Sequence, residues 1–182
     1  ITIPNSVTSI GSYAFKYCTS LTEITIPDSV TSIGSYAFEY CTSLTEITIP
    51  NSVTSIGFGA FDYCTSLKTI NYTGTEAEWN AIDKTDAKIP SDATVICHAD
   101  LFTYDTSNGG KVITGVKDKS IPKAIIPDDV TSIGDWAFFN VDLKEVWYQG
   151  TETEKASIQI GTSNQPLLSA NWHYNSCSSA IT

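Results

Sequence analysis

The sequence predicts a repeat solenoid: short parallel β-strands and helical turns, stacked unit on unit and closed by capping segments. Three observations predict it. The nonapeptide Cys-Thr-Ser-Leu-Thr-Glu-Ile-Thr-Ile fills residues 18–26 and again 41–49, an interval of 23. Apolar residues return in fixed columns at that interval. Proline and glycine hold fixed columns between them.

Aligning Ile3, Ile26 and Ile49 brings three units into register, and a fourth aligns at Ile126. The first full unit places Val7, Ile10, Ala14, Phe15, Cys18, Leu21, Ile24 and Ile26 in the apolar columns. The fourth places Val130, Ile133, Ala137, Phe138, Val141, Leu143, Val146 and Tyr148 there. A single such unit cannot bury its apolar side, but stacked neighbours make a continuous core. Leu21-x-x-Ile24-x-Ile26 alternates at its end as a strand does. Pro27, which cannot donate to a ladder, ends it. Gly11, Gly34, Gly57 and Gly134 share a corner column that calls for positive φ or close backbone approach. Ser12–Phe15 after it reads as a turn of helix. At the other end, Ile1 to Ile3 read as a strand met in mid-pattern, with an open edge, as in a fragment or processed product.

Two further segments copy one another, Tyr72 to Trp79 and Tyr148 to Lys155. Each carries Thr followed three residues later by Glu, Thr75 with Glu78 and Thr151 with Glu154, which predicts a helix capping box. Trp79 and Ile82 then share a helical face that covers the end of the stack. Each cap closes with an extended piece, 93–97 and 170–174. Asn108-Gly109 between two β-rich runs predicts a hairpin, after which Ile121-x-x-Ala124-x-Ile126-Pro127 resumes the strand pattern. The chain thus divides into residues 1–98, an array with its linker helix, and 99–182, a hairpin, a resumed repeat and a C-terminal cap, together expected to form one continuous solenoid.

The pattern L-x-x-I-x-I-P followed by V-T-S-I-G-x-x-A-F-x-x-C, over residues 1–72 and 121–148, resembles the BspA-type leucine-rich repeat of bacterial surface proteins. The Tyr-x-Gly-Thr segments occur in that family too. The resemblance implies a right-handed leucine-rich-repeat superhelix. It also implies an extracellular or cell-surface location and adhesion to a host or neighbouring-cell protein. The pattern departs from the commoner leucine-rich repeat where a buried Asn or Cys is usual: Ser6, Ser29, Ser52 and Asp129 stand there.

Composition narrows the function classes. A net charge of −10 opposes a basic nucleic-acid interface. No apolar run is long enough for a membrane helix. Cys18, Cys41 and Cys64 share one column with Val141. Valine neither ligates metal nor forms a disulfide, so the column asks for a small apolar group, and no metal or cofactor is expected. The five cysteines leave at least one unpaired. Asp105-x-Ser107-x-Gly109-Gly110 places Val116 where a calcium loop needs a bidentate Glu. Cys97-His98 and His173 lack the spacing of a nucleophile and its base, and read as hydrogen-bonded loop or cap residues. No catalytic constellation appears, and the chain is expected not to be an enzyme.

The candidate ligand-binding residues are those between the buried strand positions, which point away from the core. One column holds Glu23, Glu46, Thr69 and Glu145, and another Thr25, Thr48, Asn71 and Trp147. An exposed Trp beside Glu is the kind of spot that anchors an interface. Two aromatic columns lie elsewhere in the unit: Tyr13, Tyr36 and Trp136 with Gly59, and Tyr17, Tyr40 and Tyr63. They suit either a sticky surface or a shield for the core's flank. The expected function is a non-catalytic module that binds a protein ligand. The alternative is a structural spacer that displays another domain. Ice binding through Thr2, Thr25 and Thr48 has too few threonines per unit to compete.

Overall fold

The computed structural model describes residues 2–174, and the chain separates into two compact units, Ile1–Cys97 and His98–Thr182. In the first unit, β2 (Glu23–Thr25), β4 (Glu46–Ile49), β6 (Thr69–Tyr72) and β7 (Thr94–Cys97) form a parallel sheet in that order. Its register follows the 23-residue interval: Ile24 lies beside Ile47, and Ile47 beside Ile70. A second parallel sheet joins β1 (Ser9–Ile10), β3 (Ser32–Ile33) and β5 (Ser55–Ile56). The helix α1 (Glu76–Ala81) sits between β6 and β7 in sequence.

In the second unit a 3-10 turn (His98–Leu101) leads into the antiparallel pair β8 (Phe102–Asp105) and β9 (Lys111–Val116). Gly109 supplies the left-handed residue of that hairpin. β10 (Lys123–Ile126), β12 (Glu145–Tyr148) and β14 (Asn171–Tyr174) make a parallel sheet. β11 (Val130–Ile133) pairs in parallel with β9 and with β13 (Gln159–Ile160). Two short helices, α2 (Glu152–Lys155) and α3 (Gln165–Ser169), complete the unit.

The apolar columns are the core of each unit. Phe38 and Phe61 are fully buried, and Phe15, Phe38 and Phe61 stack with centroids 5.2 and 5.6 Å apart and rings within 2° of parallel. The equivalent Phe138 packs on Phe102 of the hairpin, 5.9 Å away and tilted by 52°.

The segment after each corner glycine is not the helical turn the sequence suggests. It is a run of tight turns in which Tyr13, Tyr17, Tyr36, Tyr40 and Tyr63 take positive φ, between 56 and 63°. Alternate amides serve different partners. Ala14, Lys16 and Cys18 donate to the carbonyls three residues back, those of Gly11, Tyr13 and Phe15. Tyr13, Phe15 and Tyr17 donate across to Ser35, Ala37 and Glu39 of the next layer. A helix would consume all its amides internally and leave none for the stack. The interlayer bonds offset the cost of left-handed tyrosines.

The corner glycines do not have positive φ either; Gly34 and Gly57 need the close approach, whereas a Cβ on Gly11 would meet nothing within 4 Å and one on Gly134 only ordinary contacts. A Cβ on Gly34 would lie 2.5 Å from the Ser12 nitrogen, and one on Gly57 2.5 Å from that of Ser35. Thr2 to Pro4 are not in a strand, so β2 is the first strand of its sheet; Ile3 still packs on the core, and Ile1 lies outside the described residues. Both capping boxes form, with Thr75 N donating to Glu78 Oε2 at 2.7 Å and Thr151 N to Glu154 Oε2 at 2.7 Å. Trp79 and Ile82 are buried in the first unit's core, and Trp79 packs on Tyr72. The shorter α2 has Lys155 at the position of Trp79 and buries nothing.

The cysteine column does more than fill space. The thiols of Cys41 and Cys64 donate to the carbonyls of Phe15 and Phe38 in the layer before, at 3.0 and 3.1 Å. Burial pushes Cys41 up to about 11 and Cys64 up to about 12, so both stay protonated and unreactive. The serine column works alike: Ser29 and Ser52 donate to Val7 O and Val30 O at 2.6 and 2.7 Å. Asp129, in the same column, instead pairs with Lys111 at 3.1 Å. Cys177 lies outside the described residues.

Candidate functional site

Two faces compete for the role of binding surface. The sheet face carries the predicted columns. Glu23 is exposed, while Thr25, Glu46, Thr69, Glu145 and Trp147 are half-buried. Thr48 and Asn71 are buried, at 7% and 2% exposure. That corrects the expectation of an exposed column. Asn71 sits in register between Thr48 and Ile96 on the flanking strands, and a short side chain between close neighbours is overtopped. Thr25 is on the sheet's first strand and keeps more of its surface.

Trp147 is partly covered as well. Its indole stacks on His173 of the adjacent strand, with centroids 4.3 Å apart and planes 14° apart. The Lys123 ammonium lies 5.0 Å from its ring centre, and its Nε1 lies 3.5 Å from Glu145 Oε2. The structure thus brings Glu145 and Trp147 together, with Lys123 and His173 as partners that the sequence did not single out. Of the eight predicted residues, Glu145 and Trp147 belong to the second unit and the other six to the first.

The turn face is more open. Tyr13, Tyr17 and Tyr63 are 53, 61 and 53% exposed. Tyr13 stacks on Tyr36 at 5.3 Å, and Tyr36 meets Phe58 edge-on at 5.5 Å. A second ladder runs Tyr17, Tyr40, Tyr63 at 4.9 and 4.4 Å. The rings repeat with the strands because left-handed tyrosines are pinned to each layer by the interlayer amides. Gly59 interrupts the first ladder because a Cβ there would come within 2.6 Å of the Tyr36 ring. Phe58, one residue earlier, supplies the ring instead.

Between the ladders lies Lys16. Its ammonium is 5.2 Å from the ring centres of both Tyr13 and Tyr17 and pairs with Glu39 Oε2 at 2.6 Å. The hydrogen bond to Glu39 raises its pKa. The sequence showed these tyrosine columns. It did not show that they stack, how open they are, or that a Lys–Glu pair joins them.

His98 and Asp105 hold local structure. His98 is buried, and its Nδ1 accepts from the Ile125 amide at 3.3 Å. Burial first, and the nearby Lys123 charge second, push it down to about 3, so it is neutral. Asp105 accepts from Ser107 N at 2.8 Å in the hairpin turn. Among the described residues no group of three or more His, Cys, Asp or Glu could hold a metal ion, and no helix is long and apolar enough to cross a membrane.

The chain resembles in structure the T. pallidum leucine rich repeat protein, at 20% identity and a TM-score of 0.35, over 85% of this chain and 67% of that one. A leucine rich cell surface protein from Faecalibacterium prausnitzii A2-165 is 27% identical with a TM-score of 0.27, over 88% of this chain and 56% of that one. The pneumococcal vaccine antigen PcpA is 17% identical with a TM-score of 0.27, over 86% and 53%. The chain therefore spans little more than half the length of the last two. No curated protein matches it. The family described as BspA type leucine rich repeat region matches in six copies, over residues 1–102 and 116–158. The chain belongs to the BspA-type leucine-rich-repeat family.

Proposed function

We propose that this chain is a non-catalytic binding module of an extracellular, cell-surface protein, and that it recognises a protein ligand through the tyrosine face of its first unit. One observation carries the reading: two stacked aromatic ladders, Tyr13–Tyr36–Phe58 and Tyr17–Tyr40–Tyr63, whose five tyrosines all sit on left-handed backbone and of which Tyr13, Tyr17 and Tyr63 are open. Exposed rings at 53–61% contribute little to the core, yet each occupies a conformation that side chains other than glycine rarely adopt. Tyrosine gives large contact area at low entropic cost and is enriched in protein interfaces. Pre-stacked rings lose still less freedom on binding. Family membership supports the protein-binding, surface-located part of the reading.

The sheet face remains a second reading, favoured by the Trp147–Glu145–Lys123 cluster. The test is capture of purified host extracellular proteins on immobilised full-length chain. Two double variants decide between the faces: Tyr17→Ser with Tyr63→Ser, and Glu145→Ala with Trp147→Ala. Loss of capture by the first variant alone supports the tyrosine face. Loss by the second alone moves the site to the sheet. A chain that captures nothing is the spacer.

A further inference from the structure

In the second unit the corresponding aromatic column has a single ring with no successor, and a cleft lies beside it. Trp136 occupies the column of Tyr13 and Tyr36, with φ 62° against their 63 and 57°. Its amide donates to Thr162 O at 2.9 Å, as the Tyr36 amide donates to Phe58 O at 2.9 Å. Ser163, with φ 62°, therefore stands where the next ring would be. In the first unit Tyr13 has Tyr36 stacked on it; Trp136 has a serine in that place. Asn140 likewise replaces the tyrosine of the second ladder at the same left-handed backbone, φ 57°. The next layer turns into α3 at Gln165 and Pro166.

The result is an open cleft of about 620 Å³ lined by Trp136, Phe139, Asn140, Val141, Ser163, Gln165 and Pro166. Trp136 and Phe139 are 57 and 44% exposed and stand at 71° with centroids 5.0 Å apart, making two walls of a corner. The polar side-chain groups of the lining are two amides, one hydroxyl and the Trp136 indole N–H, and none is charged. The neighbouring carboxylate, Asp135, is taken up by Thr162, accepting from its N at 2.6 Å and its Oγ1 at 2.9 Å. The floor is fixed by Asn164, which is fully buried. Its Oδ1 accepts from Phe138 N at 2.9 Å, and its Nδ2 donates to Gly134 O and Gly161 O, each at 2.9 Å.

We propose that this cleft binds a neutral saccharide. An aromatic corner takes the C–H face of a pyranose ring by apolar contact. Asn and Gln amides each both donate and accept, as does a serine hydroxyl, and vicinal sugar hydroxyls need both. An uncharged lining does not favour sialylated, sulfated or phosphorylated ligands. The volume falls within the roughly 300–1,000 Å³ of small-ligand sites; a single side chain from a protein partner would leave most of it empty. This site does not depend on the tyrosine face, which belongs to the other unit.

The experiment is titration calorimetry of the full 182-residue chain with neutral hexasaccharides of glucose, xylose, mannose and N-acetylglucosamine, and with a proline-rich decapeptide. The expected result is binding of at least one neutral hexasaccharide that persists in 0.5 M salt. Trp136→Ala should weaken it by at least about tenfold, a change of about 1.4 kcal/mol, and Gln165→Ala by roughly three- to fivefold. Both side chains are exposed, and the urea unfolding curve of each variant checks that the fold is kept. If Trp136→Ala does not fold, Gln165→Ala carries the test. The proposal is overturned if no neutral hexasaccharide binds at millimolar concentration, or if binding survives in Gln165→Ala and in folded Trp136→Ala. Binding of the decapeptide alone also overturns it.

Discussion

The two units solve the same stacking problem with different materials. In the first, each layer is nearly a copy of the last, so the turn amides of Tyr13, Phe15 and Tyr17 have counterparts 23 residues on in Tyr36, Phe38 and Tyr40, and most side chains meet their own kind. Phenylalanine lies on phenylalanine, thiol follows thiol, tyrosine covers tyrosine. In the second, one repeat is held between a hairpin and a cap, and each interaction is bespoke. Phe138 meets Phe102 at an angle. The Phe138 amide, which a copy would satisfy with a backbone carbonyl, is satisfied by the side chain of Asn164. The difference teaches that repetition removes design problems along a stack and concentrates them at its interruptions.

The largest effects should come from cutting the phenylalanine column. Phe38→Ala should destabilise the first unit by about 3–5 kcal/mol, read from urea unfolding. Phe138→Ala should cost less within that range, since Phe138 has one ring contact where Phe38 has two, each worth roughly 0.5–1.5 kcal/mol. If Phe138→Ala proves the more damaging, the layered unit is not the better packed.

Asn164→Ala should follow, at roughly 2–3 kcal/mol, because it leaves a buried amide and two carbonyls without this partner. Native-state hydrogen exchange should show the Phe138 amide losing its protection while Phe38 and Phe61 keep theirs. Equal loss in both units would contradict the division between them.

Acid should also tell the units apart. His98 titrates near 3 when folded against about 6.5 when unfolded, so the unfolded chain takes up the proton first as pH falls. This term is absent above about pH 6.5 and grows on acidification until the folded pKa is reached. At pH 5 it costs roughly 2 kcal/mol, and it should fall on the second unit. His98→Asn, whose carbonyl can still accept from Ile125, should flatten this dependence. A wild-type profile that is flat from pH 7 to 5 would refute the buried neutral imidazole.

The smallest effect sharpens the comparison of the two caps. Thr75→Ala should cost about 1 kcal/mol, since its helix carries Trp79 into the core. Thr151→Ala should cost less, since α2 buries nothing. Thermal unfolding of both variants measures the difference.

Much of this was legible because a repeat reports its own columns. Val30, Ile33, Phe38 and Leu44 could be read as core from spacing alone, and the Thr–Glu boxes and the Asn-Gly hairpin are local signals with local causes. What spacing could not show was the backbone between columns. Tyr13 and Tyr17 look like residues of a helical turn until their amides are followed to the next layer. The sheet columns misled in a related way: alternation gives the direction of Thr48 and Asn71 but not the height of their neighbours. The cleft at Trp136 left no sequence signal except a negative one, the absence of tyrosine at Asn140 and Ser163.

In the turn segments of the first unit, the amides of Tyr13, Phe15 and Tyr17, and again of Tyr36, Phe38 and Tyr40, all donate toward higher residue numbers. Each layer is therefore a plug on one side and a socket on the other. Any layer fits any other, so copies can be gained or lost inside such an array without redesigning a neighbour. A terminating segment faces a harder task, because it must offer a socket with no copy behind it. Asn164 does this with one amide side chain, and a lineage that varies the number of its repeats can do so freely while it keeps a stopper of that kind.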